Sequence, residues 1–375
     1  MTEQTNGNTS AEDAKVRKPK STKREIIELL IIALVIVPLI NIFLLQSYAI
    51  PTSSMESEML VGDKLFVSKI HYGPRVPMTP VALPYVHNSI FGMQSYTEAV
   101  SLPYYRLPGI STLTNNNIVV FNYPGDDPGG SQDHPVDKRT NYVKRCVAIA
   151  GDSLKIVDGE VYINGSLLER PERSQFMYRV VLDSPAGLSK RVKKELGIRE
   201  IQSDGSNSGI YAMHLTDKAA EELKKMKIVV DIEKIIHPKG RIIEGRIFGN
   251  DTTKNWNRDN YGPIYLPKAG GKVKITPENH TLYDKAIKVY ENNPSYKFEN
   301  GQAYMNGSPI EDYEFKMNYY FMMGDNRHHS LDSRYWGFVP EDHIVGKPVF
   351  VWLSTESNGT WSEWIRWDKS FRTVH

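Results

Sequence analysis

Ile50-Pro51-Thr52-Ser53-Ser54-Met55 stands just beyond an apolar run, Ile26 to Leu45, that is broken only by Glu28, Pro38 and Asn41. The run is close to the ~20 residues a membrane-spanning helix needs. The hexapeptide is therefore predicted to hold a cluster of hydroxyls at the edge of a bilayer, and the rest of the chain to fold in water beyond it. Between Lys15 and Arg24 lie six basic residues, Lys15, Arg17, Lys18, Lys20, Lys23 and Arg24, and no acid. This one-sided flank places the N-terminus in the cytoplasm and everything after Gln46 outside. It also argues against a buried core helix. A cleaved secretory signal is the competing reading, since Ser47-Tyr48-Ala49 has small residues at the two positions such a site uses. The run, however, exceeds the roughly 7–15 residues of an ordinary signal core.

Ser54 reads as a nucleophile. A serine hydroxyl needs a base to act at neutral pH, and no histidine lies near it in sequence. The strongest candidate base is Lys144, in Asn141-Tyr142-Val143-Lys144-Arg145-Cys146. Lysine can serve only when neutral; bringing its pKa from about 10.4 to near 7 costs the charged form about 4 kcal/mol. Burial in apolar surroundings produces such a drop. A strand over Tyr142 to Ala150 would put Lys144 on one face with Tyr142, Cys146 and Ala148, and Val143, Arg145, Val147 and Ile149 on the other. The block Gly324-Asp325-Asn326-Arg327-His328-His329-Ser330-Leu331-Asp332-Ser333-Arg334 supplies polar groups to hold the base.

These three blocks, in this order behind an apolar N-terminal segment, resemble type I signal peptidases, the Ser-Lys proteases that remove signal peptides from exported proteins. Segments 47–70, 117–165 and 320–353 carry the resemblance. It implies that Ser54 attacks the scissile carbonyl and that Lys144 takes its proton. Ser330 would orient the lysine amine, and Asp332 would support the site through Arg145 and Arg334. The Ser54 N–H and the Thr52 hydroxyl would hold the oxyanion, and Ile50, Met55, Met59, Tyr142 and Val143 would shape shallow pockets for small side chains. No cofactor and no metal are implied. The expected partners are secreted preproteins with their signal peptides, membrane lipid and a nearby translocon. The expected location is a bacterial cytoplasmic membrane, crossed once, with the catalytic domain on the outer face.

The chain departs from that pattern in places. Ser53 stands where glycine is usual, Thr52 where many relatives have serine, Ser57-Glu58 replaces a Pro-Thr pair, and His328-His329 replaces Asp-Asn. The histidines raise a rival, a Ser-His-Asp triad of Ser54 with His328 or His329 and Asp325 or Asp332. A metal on this His-His-Asp cluster is disfavoured, because adjacent histidines point in different directions. An inactive membrane-tethered protein gripping extended peptides along a strand edge is a further alternative. Self-cleavage of the repressor type is opposed by the anchor and by the lack of a DNA-binding segment.

At 375 residues the chain can bury a sizeable core. A net charge of +2 gives no general field for nucleic acid. The single cysteine, Cys146, excludes an intramolecular disulfide. The expectation is a mainly β protein: a single transmembrane helix, an antiparallel β catalytic core, and an inserted β-rich subdomain carrying short helices. The boundaries are a basic tail to 25, the helix over 26–46, core over 47–165 and 313–355, the insertion over 166–312 and a Trp-rich tail from 356. Residues 1–14 read as disordered.

Strands are expected over Leu60 to Ile70, Asn117 to Tyr123, Leu154 to Val157 and Val161 to Ile163, with turns at Asp158-Gly159 and Asn164-Gly165. Pro124 to Pro135 reads as a loop. The Pro- and Tyr-rich stretch 71–116 has apolar patches such as Val81 to Val86, which are expected to pack on the core, the alternative being that they lie at the membrane surface. Helices are predicted over Asp217 to Met226, capped by Thr216, and Pro277 to Glu291, capped by Thr276. Residues 150–156 resemble 269–275, and 158–165 resemble 300–307, which suggests a duplicated hairpin with a helix inserted at the tip of its second copy. Chance likeness of Gly-rich turns is the alternative. Trp361, Trp364 and Trp367 with Arg366, Lys369 and Arg372 suit either a membrane interface or a packed tail.

Overall fold

The computed structural model describes residues 22–374 except 57, 88, 126–133, 204, 206, 207, 242–246, 250–253 and 357–363. The N-terminal basic tail up to residue 21, Ser57 and Trp361 thus lie outside the described residues. Helix α1, Thr22–Phe43, is long and apolar enough to cross a membrane, and none of its apolar window is buried in the protein. Pro38 cannot donate to the Leu34 carbonyl, and a π turn at Ile32–Ile36 lies just ahead of it, the local widening that lets a helix continue past such a gap.

The chain leaves the helix directly into an antiparallel sheet. Its strands are β1 (Leu45–Ala49), β2 (Asp63–Ser68), β3 (Ile118–Asn122), β4 (Asn141–Ala148), β5 (Tyr319–Met323), β6 (Val339–Pro340), β7 (Ile344–Ser354) and β8 (Arg372–Thr373). The spatial order is β1-β2-β7-β3-β4-β5-β6, with β8 paired to β7. The late strand β7 therefore closes the gap between β2 and β3. In β3, Ile118 and Val120 enter one core cluster with Met55, Met59, Leu65 and Val351. Val119 and Phe121 enter another with Cys146, Met322 and Trp336. Both faces are covered, which is why this strand is a continuous apolar run rather than an alternating one.

Between β4 and β5 the chain builds further β units. Strands Gln175–Leu182, Ile201–Ser203, Ile210–Thr216 and Val229–Lys234 form a four-stranded sheet. The helix Asp217–Lys224 packs on it through Ala219, Ala220 and Leu223, and the Thr216 hydroxyl accepts from the Ala219 N–H at 3.2 Å, the expected cap. The second expected helix is shorter than 277–291. It runs His280–Lys285 into a π turn at Ala286–Tyr290. Asn279 accounts for the late start: its Oδ1 accepts from the Thr276 N–H at 2.8 Å and its Nδ2 donates to the Lys274 carbonyl at 2.9 Å, so 276–279 form a separate turn. A third helix, Lys190–Glu195 capped by Ser189, was not expected, since six residues carry too little periodicity to read.

The duplication holds in one half only. Ser153–Val157, Glu160–Ile163 and Ser166–Leu167 form a meander, and so do Lys297–Glu299, Gln302–Met305 and Ser308–Ile310. Their turns match, with positive φ at Asp158-Gly159 and Asn164-Gly165 as at Asn300-Gly301 and Asn306-Gly307. Lys272–Lys274, however, pairs with Asp312–Glu314 and not with Gln302–Met305. The second copy is therefore no hairpin with a helix at its tip.

Two further expectations are corrected or sharpened. The 81–86 patch does not pack on the core: Val81, Leu83 and Tyr85 are exposed, and the Tyr85 hydroxyl donates to the Ala33 carbonyl of α1. The C-terminal tail is packed through its arginines. Arg372 Nη2 lies 2.9 Å and Arg366 Nη2 3.5 Å from the fully buried Asp63, whereas Trp364 and Trp367 stay exposed.

Candidate active site

Ser54 sits in a single 3-10 turn, Ser53–Met55, reached from β1 through extended Thr52. Met55 and Met59 are fully buried and pin this turn to the core beside Ile50 and Val143. They form its floor and are not open to a ligand. The first N–H groups of such a turn have no acceptor within it, so the Ser54 N–H is available to an incoming oxygen. Thr52 Oγ1 lies 3.5 Å from Ser54 Oγ. The Ser54 carbonyl accepts from the Asn326 N–H at 3.0 Å.

Lys144 comes from β4, next to β3 in register with Val119. Its side chain is buried, and Nζ lies 2.5 Å from Ser54 Oγ and 3.1 Å from the Val143 carbonyl. Loss of hydration pulls its pKa from 10.5 down to about 8, against the opposing pull of Asp332 and Asp325. A substantial neutral fraction therefore exists at mildly alkaline pH. A neutral amine at this distance from a hydroxyl can take its proton.

The third block surrounds this pair. Asp332 takes a double hydrogen bond from Arg334, at 2.8 and 2.7 Å, and a third bond from the Gly324 N–H at 3.1 Å. Burial pushes the Asp332 carboxyl up, but the Arg334 charge and these bonds carry it below its ordinary value. Arg145 does not turn to Asp332. It forms a bidentate pair with Asp325 at 2.7 Å for both contacts and donates to the Asn116 carbonyl. Ser330 is buried beside the site, but its Oγ makes no hydrogen bond to Lys144, and the amine is directed by Ser54 and Val143 instead. Tyr142 lies in the neighbouring aromatic cluster, stacked on Tyr123 with ring centroids 4.7 Å apart. Its ring stands 5.6 Å from Lys144 Nζ. Of the expected pocket residues, the structure therefore gathers Ile50, Met55, Met59 and Val143 into one cluster and sets Tyr142 on another.

Neither adjacent histidine meets Ser54. His328 Nε2 lies 2.7 Å from Asp259, and its Nδ1 accepts from the Met177 N–H at 3.1 Å, so the ring is held as a neutral strut. Burial drives its pKa down to about 4 despite Asp259. His329 turns outward to Glu200. A Ser-His-Asp triad is therefore not assembled.

Two contributors were missed from sequence. Gly324 is required by close approach: a β-carbon there would lie 2.2 Å from Ser330 Oγ and 2.6 Å from the Ser54 carbonyl oxygen. Gln175, at the start of the four-stranded sheet, exchanges backbone hydrogen bonds of 2.8 Å with Asp325 and Arg327 and so ties that sheet to the site. The short Gly-Asp pair at the head of the third block was a signal for the first; nothing local marked the second.

Comparison with known proteins accords with this geometry. The family model described as signal peptidase, peptidase S26, matches residues 23–230 and 268–353. Signal peptidase I of Buchnera aphidicola is 24% identical over 329 residues, covering 86% of this chain and 73% of the relative. Signal peptidase I of Haemophilus influenzae is 22% identical over 374 residues, covering 99% and 82%. Signal peptidase I of Helicobacter pylori is 24% identical over 346 residues, covering 88% and 86%. With a match in two segments that together cover most of the chain and a serine set against a buried lysine, the chain belongs to the signal peptidase family, peptidase S26, and is a serine peptidase.

Proposed function

We propose that this protein removes N-terminal signal peptides from exported preproteins, cleaving after a small-x-small motif by a Ser54–Lys144 dyad. The observation that carries the reading is the 2.5 Å contact between Ser54 Oγ and a buried Lys144 Nζ whose pKa lies near 8. Neutral Lys144 takes the hydroxyl proton as Oγ attacks the scissile carbonyl carbon. The oxyanion is met by the Ser54 N–H and the Thr52 hydroxyl. Collapse breaks the C–N bond, and the Lys144 ammonium returns its proton to the leaving amine. The same lysine then activates water against the acyl ester, releasing the carboxylate and restoring Ser54.

The helix α1 would anchor the enzyme with its N-terminus in the cytoplasm and the site on the outer face of a bacterial cytoplasmic membrane. The short path from Phe43 to Ser54 keeps the nucleophile near the bilayer, where a signal peptide's end emerges beside the translocon. Exposed Val81, Leu83, Tyr85 and Phe91 supply an apolar rim for lipid contact. Asp332 and Arg334 act as a rigid support, with Arg145 fixed by Asp325.

The test is cleavage of a preprotein bearing an Ala-x-Ala site by the detergent-solubilised full chain, beside Ser54→Ala and Lys144→Met. Cleavage by wild type and by neither variant is expected. Wild-type binding without cleavage would leave a tethered peptide-binding protein instead.

A further inference from the structure

The outward side of the third block carries a second group of side chains. His329 faces Glu200, just ahead of the strand Ile201–Ser203, and His214, from the strand Ile210–Thr216. One ligand atom from each of the three lies within 4.8 Å of the others. His214 Nδ1 is 2.8 Å from Asn326 Oδ1. An amide oxygen can only accept, so this nitrogen carries the proton and the lone pair is left on Nε2, 3.9 Å from Glu200 Oε2. His329 meets the same oxygen through Nδ1.

We propose that Glu200 Oε2, His214 Nε2 and His329 Nδ1 form a binding site for a divalent ion of the zinc class, with solvent in the fourth position. The donor set is two imidazoles and one carboxylate, which suits zinc and its neighbours; magnesium and calcium demand more oxygens. Bonds of about 2.0–2.1 Å at tetrahedral angles set donors about 3.3 Å apart. The His214–Glu200 gap must therefore close slightly and the tighter His329–Glu200 contact must open, which the exposed His329 side chain can accommodate. His214 is already arranged as a ligand, because its far nitrogen is fixed by an amide carbonyl, the outer contact that orients metal-binding histidines. The adjacency of His328 and His329 is no obstacle, since His328 is committed to Asp259 and the second imidazole comes from the insertion.

The site communicates with the nucleophile through Asn326 and through Ser53, whose side chain hydrogen-bonds Glu200. Asn326 Nδ2 donates to Glu200 Oε2 at 3.3 Å and to the Ser53 carbonyl at 3.5 Å, and the Asn326 N–H holds the Ser54 carbonyl. An ion that claims Glu200 Oε2 competes with this bridge. The inference does not depend on the peptidase reaction.

The experiment uses the full chain in detergent without a histidine tag. Co2+ is titrated and followed by its visible absorption, then displaced by Zn2+. One equivalent with a four-coordinate spectrum is expected, weakened about tenfold or more in His329→Ala and in Glu200→Gln. His280→Ala, at an unrelated histidine, should bind as wild type does. Thermal unfolding of each variant checks that it is folded, and added Zn2+ should raise the midpoint of wild type alone among wild type, His329→Ala and Glu200→Gln. Binding unchanged in both site variants, or no ion retained by folded wild type at micromolar concentrations, overturns the site.

Discussion

Replacing Lys144 by methionine should abolish cleavage and at the same time make the protein more stable near neutrality. The fall of the Lys144 pKa from 10.5 to about 8 measures what the fold spends to bury an ammonium. At about 1.4 kcal/mol per pH unit this is about 3 kcal/mol against the charged form. Methionine removes that penalty and keeps the buried stem. It loses the hydrogen bond to Ser54, about 1 kcal/mol, so the net gain at pH 7 is about 2 kcal/mol. The sign with pH follows from linkage. Between about 8 and 10.5 the unfolded chain binds a proton at this lysine that the folded one does not, so wild-type stability rises across that window. Below pH 8 the penalty is fully present. The excess stability of Lys144→Met should therefore be constant below pH 8, pass through zero at about pH 9.5 and end about 1 kcal/mol in favour of wild type by about pH 10.5, where only the lost hydrogen bond remains. Urea unfolding of both proteins in detergent at a series of pH values reads this directly. A variant less stable than wild type at pH 7, or a difference that ignores pH, would refute the reasoning.

Three further outcomes follow from the same geometry. Wild-type cleavage should rise about fivefold from pH 7 to 8 and level off by pH 9, as the neutral fraction of a base with a pKa near 8 grows; a flat profile over that range would remove Lys144 as the base. Gly324→Ala, measured by unfolding and by processing rate, should cost about 1–3 kcal/mol and most of the activity, because the added carbon meets Ser330 and the Ser54 carbonyl. Asp332→Asn should cost about 3–5 kcal/mol by leaving Arg334 buried without its carboxylate. Because the Asp332 carboxyl lies below its ordinary 3.8, its contribution is complete above that pH and is lost as pH falls below it, so the variant's acid unfolding curve should be shallower than wild type's.

The meeting of Ser54 and Lys144 was legible in the sequence because each lies in a short segment with a local signature. Ser54 follows a membrane-length apolar run, and Lys144 lies in a strand whose neighbours alternate. The antiparallel core was legible for the same reason, as strands announce themselves by period and by Asp-Gly or Asn-Gly turns. What was illegible depends on which distant groups meet. Arg145 had two acids within the third block to choose from, and only the folded course of Asp325 past β4 settles the pairing. The packing of Val81 to Val86 was misjudged because an exposed apolar loop beside a membrane helix looks like a core segment when no helix position is known. The start of the helix at His280 turned on Asn279, whose side chain competes for the backbone within a turn that Thr276 and Pro277 alone seemed to cap.

The interleaved order of the sheet bears on how the enzyme comes into being. Strand β7, between β2 and β3, comes late in the sequence, and among the described residues the cations that meet Asp63 are Arg366 and Arg372, later still. A nascent chain already threaded into the membrane has the segment bearing Ser54 long before the wall behind it exists. In the finished fold Ser47-Tyr48-Ala49, a small-x-small stretch just after α1, is zipped into β1 against Phe66, Leu65 and Lys64. Completing the fold thus builds the wall behind Ser54 and ties down the stretch that follows α1 in a single sheet.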